Sequence, residues 1–444
     1  MSRNRKKRLP ADPVRVIVES LAHDGRGVAR VNEKTVFIDG ALPGEEVTFK
    51  YVATHRNYDE GAVAEVITAS PDRVPPRCPH YDLCGACSFQ HLAPEQQIVT
   101  KQKVLLDDLR HIGKVTPAAV LPPLTGPHWG YRRKARLGVR FVIKKDKLLV
   151  GFREKHSNYL ADLTRCETLH PSVGGRIGEL GALVRSLAAY DHIPQIEVAV
   201  DDRQTALVFR HMVPLSEADQ AVLRAYAQAN DLRVFVQPGG PETVVPLWPE
   251  HIELGYALPA FDVDFRFAPG DFTQVNTDIN RAMVERALGL LDVQAGERVL
   301  DLFCGLGNFT LPIARRAASV VGVEGSVDLV KRARENAERN GIVNATFHAA
   351  DLSADLSHAP WWQGGFDKVL LDPPRSGAQE TLAHLAKLKV GRIVYVSCNP
   401  ATLARDAGIL VNDYGYVLEQ AGVMDMFPHT AHVESIALFT RKRR

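Results

Sequence analysis

Asp301-Leu302-Phe303-Cys304-Gly305-Leu306-Gly307-Asn308 joins the strand-like run Arg298-Val299-Leu300-Asp301 to the next helix. A strand running into a glycine-containing turn and then a helix is the grammar of an α/β crossover, and the glycines let the backbone approach a ligand closely. From Asn276 onward the same grammar repeats. Strand-like runs at 319–323, 367–371 and 392–396 alternate with helical stretches at 277–291, 326–340 and 401–412. Such alternation predicts a doubly wound, mostly parallel sheet, with any ligand bound beyond the carboxyl ends of its strands.

Upstream of this region the pattern changes twice. Between residues 14 and 68, Val14, Val16 and Val18 alternate with polar residues, and further strand-like runs include 35–38, Val47 to Tyr51 and 63–67. Turn signals separate them: Asp24-Gly25-Arg26-Gly27, Asp39-Gly40 and Pro43-Gly44. Short strands so closely spaced predict a small closed barrel of the OB type. A Pro-rich break at 70–76 ends it, and a helix follows at 94–113, with Ile98, Leu105, Leu109 and Ile112 on one face. Residues 129–265 mix strand-like runs at 137–143, 196–200 and 206–209 with one helix at 175–190, an α+β pattern. The expected multidomain organisation is a barrel at 9–69, an α+β middle domain at 70–265 and an α/β Rossmann-like domain at 266–444. The helix at 94–113 is expected to pack on the last of these.

In 444 residues, 45% hydrophobic and 24% charged content excludes disordered and low-complexity classes. No apolar stretch reaches the length of a membrane span. The basic start, Arg3-Asn4-Arg5-Lys6-Lys7-Arg8, is followed by Asp12, Arg15 and Glu19 where a signal peptide would be apolar, so the chain reads as cytoplasmic, with no membrane partner. Net charge is only +2, but its placement is uneven: 101–155 holds fourteen Lys or Arg against four acids. That density suits a polyanion, with Arg132, Arg133 and Lys134 as expected phosphate contacts.

The turn at 301–308 has Thr310 where a dinucleotide fold would place a third glycine, which disfavours NAD. Glu324 stands at the end of the second strand, where an acid accepts hydrogen bonds from ribose hydroxyls, and Asp351 ends the next apolar segment, where it could meet an adenine amino group. With Asp372-Pro373-Pro374-Arg375 at the end of the fourth strand, the arrangement resembles the class I methyltransferases that use S-adenosylmethionine. Enzymes of that class acting on amino groups usually follow Asp-Pro-Pro with an aromatic; Arg375 takes that place and demotes N-methylation.

Four of the six cysteines form a pattern, Cys78-x5-Cys84-x2-Cys87 and a distant Cys166. Thiolates suit zinc or an iron–sulfur cluster. A structural zinc site usually draws on two close pairs, so a closed cluster is favoured, and a fourth thiolate argues against radical chemistry at an open iron. Cys304 reads as a packed residue. Cys398, in Ser397-Cys398-Asn399-Pro400 just past a strand, stands where a substrate would meet the cofactor; a buried inert thiol is the competing reading.

Taken in order, these motifs resemble the RNA (uracil-5-)-methyltransferases, specifically their iron–sulfur 23S ribosomal RNA branch. The match includes His23-Asp24-Gly25-Arg26-Gly27, Leu42-Pro43-Gly44-Glu45-Glu46, the four cysteines, Tyr131-Arg132-Arg133-Lys134-Ala135-Arg136 and Phe272-Thr273-Gln274-Val275-Asn276. It continues through the two loops above to Phe427-Pro428-His429-Thr430-Ala431-His432-Val433-Glu434. The resemblance implies a TRAM barrel, S-adenosyl-L-methionine contacts at Gln274, Phe303, Asn308, Glu324, Asp351 and Asp372, and a [4Fe-4S] cluster on Cys78, Cys84, Cys87 and Cys166. It also implies that Cys398 is a nucleophile adding to uracil C6 and Glu434 the proton acceptor, with His429 and His432 as local rivals. The tRNA-specific relatives generally lack the barrel and the cysteine cluster, so 23S ribosomal RNA is the expected partner, bound by a monomer. Its target base would have to be extruded into the site. The rival readings are an exocyclic-amino methyltransferase and a non-catalytic RNA-binding assembly factor.

Overall fold

The structure, a computed structural model, describes residues 9–354 and 356–441; the basic termini at 1–8 and 442–444 lie outside the described residues. The chain forms two compact units, Met1–Lys101 with Phe427–His432, and Gln102–Met426 with Val433–Arg444.

In the first unit, six strands form one sheet in the order Val14–Ile17, Glu46–Thr54, Tyr58–Thr68, Lys34–Asp39, Gly27–Val31, Ser20–Leu21. Strand alternation sends Val36, Ile38, Val47 and Phe49 inward, where with Val18, Ala29 and Ala41 they make the core. Gly25 sits at φ +88°, and a Cβ there would come within 2.5 Å of the Phe89 ring, so the turn requires glycine. Glu45 is fully buried. Its carboxylate accepts from the amides of Leu42 and Ser70 and pairs with Arg73, which also donates to the carbonyl of Gly40. The Pro-rich segment is thereby fastened to the barrel. Further on, Gln97 of the helix Pro94–Asp108 donates to the carbonyls of Phe89 and Leu92 and accepts from the amide of His429.

The second unit holds two larger sheets. One runs in the order Val245–Trp248, Leu232–Gln237, Thr205–Arg210, Gln195–Val200, Lys134–Val142, Lys147–Gly151. Its parallel pair, Thr205–Arg210 with Leu232–Gln237, is joined by the helix Glu217–Asn230, which the sequence reading left out. The other sheet has eight strands in the order Ala345–Ala349, Ser319–Glu324, Arg298–Leu302, Lys368–Leu371, Arg392–Ser397, Glu434–Arg441, Tyr416–Met424, Ala119–Val120. The first five are parallel, and Glu434–Arg441 is antiparallel to both of its neighbours. Helix Thr277–Leu291 falls where expected. Asn276 caps it by accepting from the amide of Ile279, and Ile279, Met283, Val284, Ala287, Leu288 and Leu291 bury one stripe at helical spacing. The helical segment that begins at Pro94 ends in a wider turn, Leu109–Gly113, against the helix Pro400–Gly408. There a Cβ on Gly113 would meet the Ala404 carbonyl oxygen, so only glycine permits the approach. Among the described residues, no helix is long and apolar enough to cross a membrane.

Candidate active site

Strand order in the eight-stranded sheet reverses between Arg298–Leu302 and Lys368–Leu371. A crevice opens at such a point beyond the carboxyl ends of the strands. Most of the expected site residues lie along this one edge: Phe303 and Asn308 after the first strand, Glu324 at the end of the second, Asp351 after the third, Asp372 after the fourth and Cys398 after the fifth. Glu434 joins them because its strand runs the other way, so its first residue lies at the edge where its neighbours end.

The turn 301–308 is shaped for a ligand. Phe303 (φ +64°), Gly305 (+55°) and Gly307 (+94°) all adopt left-handed conformations. A non-glycine residue such as Phe303 holds one only where its surroundings impose it. The amide of Cys304 donates to the carbonyl of Val323, and that of Gly305 donates to the Glu324 carboxylate at 3.1 Å. The other Glu324 oxygen accepts from the Ser326 amide, which starts the next helix. A Cβ on Gly305 would meet nothing within 4 Å, so the loop faces open space there. Beneath it Asp301 is fully buried. One oxygen accepts from the Thr310 hydroxyl, while Oδ1 is buried without a hydrogen-bond partner. Burial, reinforced by Asp372 and Glu324, pushes the Asp301 carboxyl up to about 8, and burial takes Asp372 to about 7. Asp351 is exposed and accepts from the amide and hydroxyl of Ser353, which hold it below the usual carboxylate range. An open glycine cradle beside acidic groups fits a cationic nucleoside ligand such as S-adenosylmethionine.

Asn308 brings in two residues that the sequence reading missed. Its Oδ1 accepts from the Tyr256 hydroxyl at 2.8 Å and from Asn280, and its amide donates back to Asn280. Burial holds the Tyr256 hydroxyl protonated. A tyrosine 52 residues away from its partner leaves no local signal in the sequence. Gln274 lies in the irregular segment just before Asn276, which the Arg133 amide, donating to the carbonyl of Val275, ties to the start of the strand Lys134–Val142.

Cys398 occupies a tight turn. The Ser397 hydroxyl donates to the Asn399 carbonyl and accepts from its amide, while Asn399 caps the helix Pro400–Gly408 and donates to the Arg375 carbonyl. Asp406, under this turn, accepts from the Tyr395 hydroxyl and the Ala378 amide, locking the loop that follows Asp372 to the one that carries Cys398. Ser397 pairs with Ser435 across the antiparallel strands, so Cys398 and Glu434 both come one step beyond that pair, on the same side of it. The Cys398 thiol is pushed up to about 11 by burial, then by Glu434 and Asp372, with Arg375 pulling the other way. Glu434 itself is buried. His429 belongs to the first unit, where its Nδ1 is engaged by Gln97.

Three basic residues expected on RNA phosphates make internal hydrogen bonds. Arg132 donates to the Lys134 carbonyl and lies over the Phe152 ring; Arg133 donates to the Asp201 carbonyl; Lys134 donates to the carbonyls of Pro269 and Asp271. Sequence clustering of charge did not reveal that these cations complete internal turns.

The fold and this edge define a class I methyltransferase with an N-terminal RNA-binding-type barrel. Residues 216–442 match the tRNA (uracil-5-)-methyltransferase family and residues 9–64 match the TRAM domain. The chain is 57% identical over 447 residues to 23S rRNA (uracil(1939)-C(5))-methyltransferase RlmD of Hahella chejuensis, spanning 99% of this chain and 100% of that one. It is 55% identical over 439 residues to the protein of the same name from Alkalilimnicola ehrlichii, 99% of each chain. In fold it matches the crystal structure of Pyrococcus abyssi tRNA (uracil-54, C5)-methyltransferase in complex with S-adenosyl-L-homocysteine, with TM-score 0.75 and 24% identity over 96% of this chain and 99% of that one. The chain belongs to the RNA (uracil-5-)-methyltransferase family.

Proposed function

We propose that this protein methylates C5 of one uridine in 23S ribosomal RNA, at the position equivalent to that of its full-length relatives, through a covalent bond between Cys398 and C6. The observation that carries the mechanism is the pairing of Ser397 with Ser435, which sets a thiol and a buried carboxylate side by side at the cofactor edge.

Uracil C5 is a weak nucleophile. Addition of the Cys398 thiolate to C6 places the electron pair on the C5–C4–O4 enolate and splits one hard step into two easier ones. Gln274, Phe303, Asn308, Glu324, Asp351 and Asp372 would hold S-adenosylmethionine, whose sulfonium would supply the methyl group: C5 attacks the methyl carbon, the carbon–sulfur bond breaks and S-adenosylhomocysteine leaves with that electron pair. Glu434 removes the C5 proton, the C5=C6 double bond re-forms and the thiolate leaves, so Cys398 is regenerated. Arg375 favours the thiolate against burial and the two neighbouring acids. In this reading Glu434 is preferred to His429, whose Nδ1 is engaged by Gln97. Reaching both the face and the edge of the ring requires the uridine to be extruded.

The four-cysteine set is read as the ligands of a [4Fe-4S] cluster, with Cys84 and Cys87 buried and Cys166 belonging to the second unit of the chain. Among the described residues, no three His, Cys, Asp or Glu side chains are gathered to hold a metal, so this reading rests on the donor chemistry. No step above passes through the cluster.

RNA carrying 5-fluorouridine at the target tests the mechanism, because fluorine cannot leave as a proton. A denaturation-resistant complex that forms with the wild type and is lost in Cys398→Ala supports the assignment. A complex that persists in Cys398→Ala removes it. Glu434→Gln should transfer methyl to natural RNA and then stall as the covalent adduct; rapid turnover would move the base elsewhere. Mapping of 5-methyluridine in 23S RNA from cells with and without the protein identifies the site.

A further inference from the structure

Residues 268–276, which include Gln274, have neither helix nor strand of their own beyond the Asn276 bridge. An irregular segment at a binding site is positioned by its attachments. One end of this segment is held by backbone, with the Arg133 amide donating to Val275 and Arg132 bridged to Asn276. The other end is held by side chains. The Lys134 ammonium donates to the carbonyls of Pro269 (2.9 Å) and Asp271, 5.8 Å from the centre of the Phe267 ring. The Asp271 carboxylate accepts from the Ala268 amide (2.6 Å) and from Arg332 Nε (2.9 Å). Arg332 lies on the helix Val327–Arg339, which begins just past Glu324. Consecutive residues at the start of the strand Lys134–Val142 thus grip both ends of the segment, and the helix after Glu324 grips the Asp271 end as well.

We propose that Lys134, through Asp271 and Arg332, is a positioning residue that fixes the Gln274-bearing segment for S-adenosylmethionine binding. The inference rests on the reading of the site given under Proposed function. It accounts for a partly buried lysine whose three-donor head meets two carbonyls at a turn, an arrangement that a surface phosphate contact would not need. Asp271 and Glu197 face the ammonium and favour its charge, Arg136 opposes it, and Arg332 reaches it through Asp271. Burial outweighs these and brings Lys134 down to about 8. The cation is therefore present below that pH and lost as pH rises through it.

The test is equilibrium binding of S-adenosylmethionine by calorimetry, with amide exchange of residues 268–276 and the thermal midpoint measured on the same samples. Lys134→Met should weaken binding roughly tenfold and speed exchange across 268–276, as expected when a charge-assisted pair of hydrogen bonds is removed. Lys134→Arg should restore affinity to within about threefold, because the guanidinium keeps its charge and its donors. Between pH 7 and 9.5 the wild type should lose affinity relative to Lys134→Arg; the acids Asp301 and Asp372 titrate in both proteins and cancel in that comparison. Arg332→Gln should give the same direction, and the double variant should be far from multiplicative because both act on Asp271. If the wild type fails to bind S-adenosylmethionine, the reading of the site is wrong. If the wild type binds and Lys134→Met binds equally well with unchanged exchange, the clamp is overturned. If Lys134→Met does not fold, Arg332→Gln carries the same two outcomes.

Discussion

At neutral pH Cys398 should be an unreactive thiol until substrate arrives. Its pKa of about 11 leaves a thiolate fraction near 10⁻⁴ at pH 7, against roughly 3% for an ordinary cysteine at about 8.5. That is a deficit of about 300-fold, or ~3.4 kcal/mol. A more basic thiolate is a better nucleophile, with a Brønsted slope of about 0.4–0.5, which returns roughly tenfold. Ionisation wins, and alkylation at Cys398 should run about thirtyfold slower than for a free thiol. The neighbours then give opposite signs. Glu434→Gln removes a negative charge that raises the thiol. If that charge is worth about one pKa unit, ionisation rises tenfold and net alkylation about threefold. Arg375→Met removes the cation that favours the thiolate and should slow alkylation by a similar factor. The assay is iodoacetamide labelling of the Cys398 peptide, followed by mass spectrometry from pH 6 to 10.5. A Cys398 that titrates near 8, or a Glu434→Gln variant that labels more slowly than the wild type, would refute the electrostatic account.

In the barrel, burial alone would raise Glu45, but its bonds to Arg73, Leu42 and Ser70 hold it below the usual carboxylate range. Glu45→Gln, which strands the Arg73 charge, should destabilise the fold by about 3 kcal/mol in urea denaturation. In the wild type the stability due to Glu45 should be fully present above its unfolded pKa and fall away as pH drops through the lower folded value. Anaerobically purified protein should contain iron and sulfide, and Cys84→Ser or Cys166→Ser should lose both. One equivalent of zinc without sulfide would replace the cluster reading and leave the methyltransferase reading intact. Neutralising the exposed Arg140, Lys144 and Lys145 should reduce the salt slope of RNA binding, by about 0.7–0.9 for each phosphate left without its cation. Neutralising Arg133, which is bonded to Asp201, should leave that slope unchanged, as measured by filter binding across a salt series.

Residues 277–291 were legible as a helix because apolar residues at helical spacing follow a capping Asn276. The helix Glu217–Asn230 was missed. Its capping signal was present, with Ser216 accepting from the Asp219 amide, but five of its fourteen residues are alanine and only a thin apolar stripe marks its buried face. In the sheet, the strand-end rule turned linear order into place: an acid or thiol just past a parallel strand must lie at the binding edge. That rule located Glu324, Asp372 and Cys398. It gives no access to Tyr256, Asn280 or Lys134, whose partners lie 52, 28 and 135 residues away. Charge clustering gives no access to the bonds that Arg132, Arg133 and Lys134 make, because sequence records that a cation is present and not which carbonyl it meets.

Glu434 shows what antiparallel topology adds. From sequence it reads equally well as the solvated first residue of a strand, and in a parallel strand that position would lie at the edge opposite the cofactor turn. Here Glu434–Arg441 runs against Arg392–Ser397, with Ser397 opposite Ser435, and against Tyr416–Met424, with Met424 opposite Glu434. The start of the last strand is thereby brought to the end of the strand that precedes Cys398. Because side chains alternate with period two, a slip of one residue would turn Glu434 to the other face of the sheet. Register is held by Ile436 to Phe439, all buried between two neighbouring strands. The core of the sheet thus fixes the distance and the face at which the proposed base meets the proposed nucleophile. A substitution that loosens this strand should impair proton removal before it impairs cofactor binding.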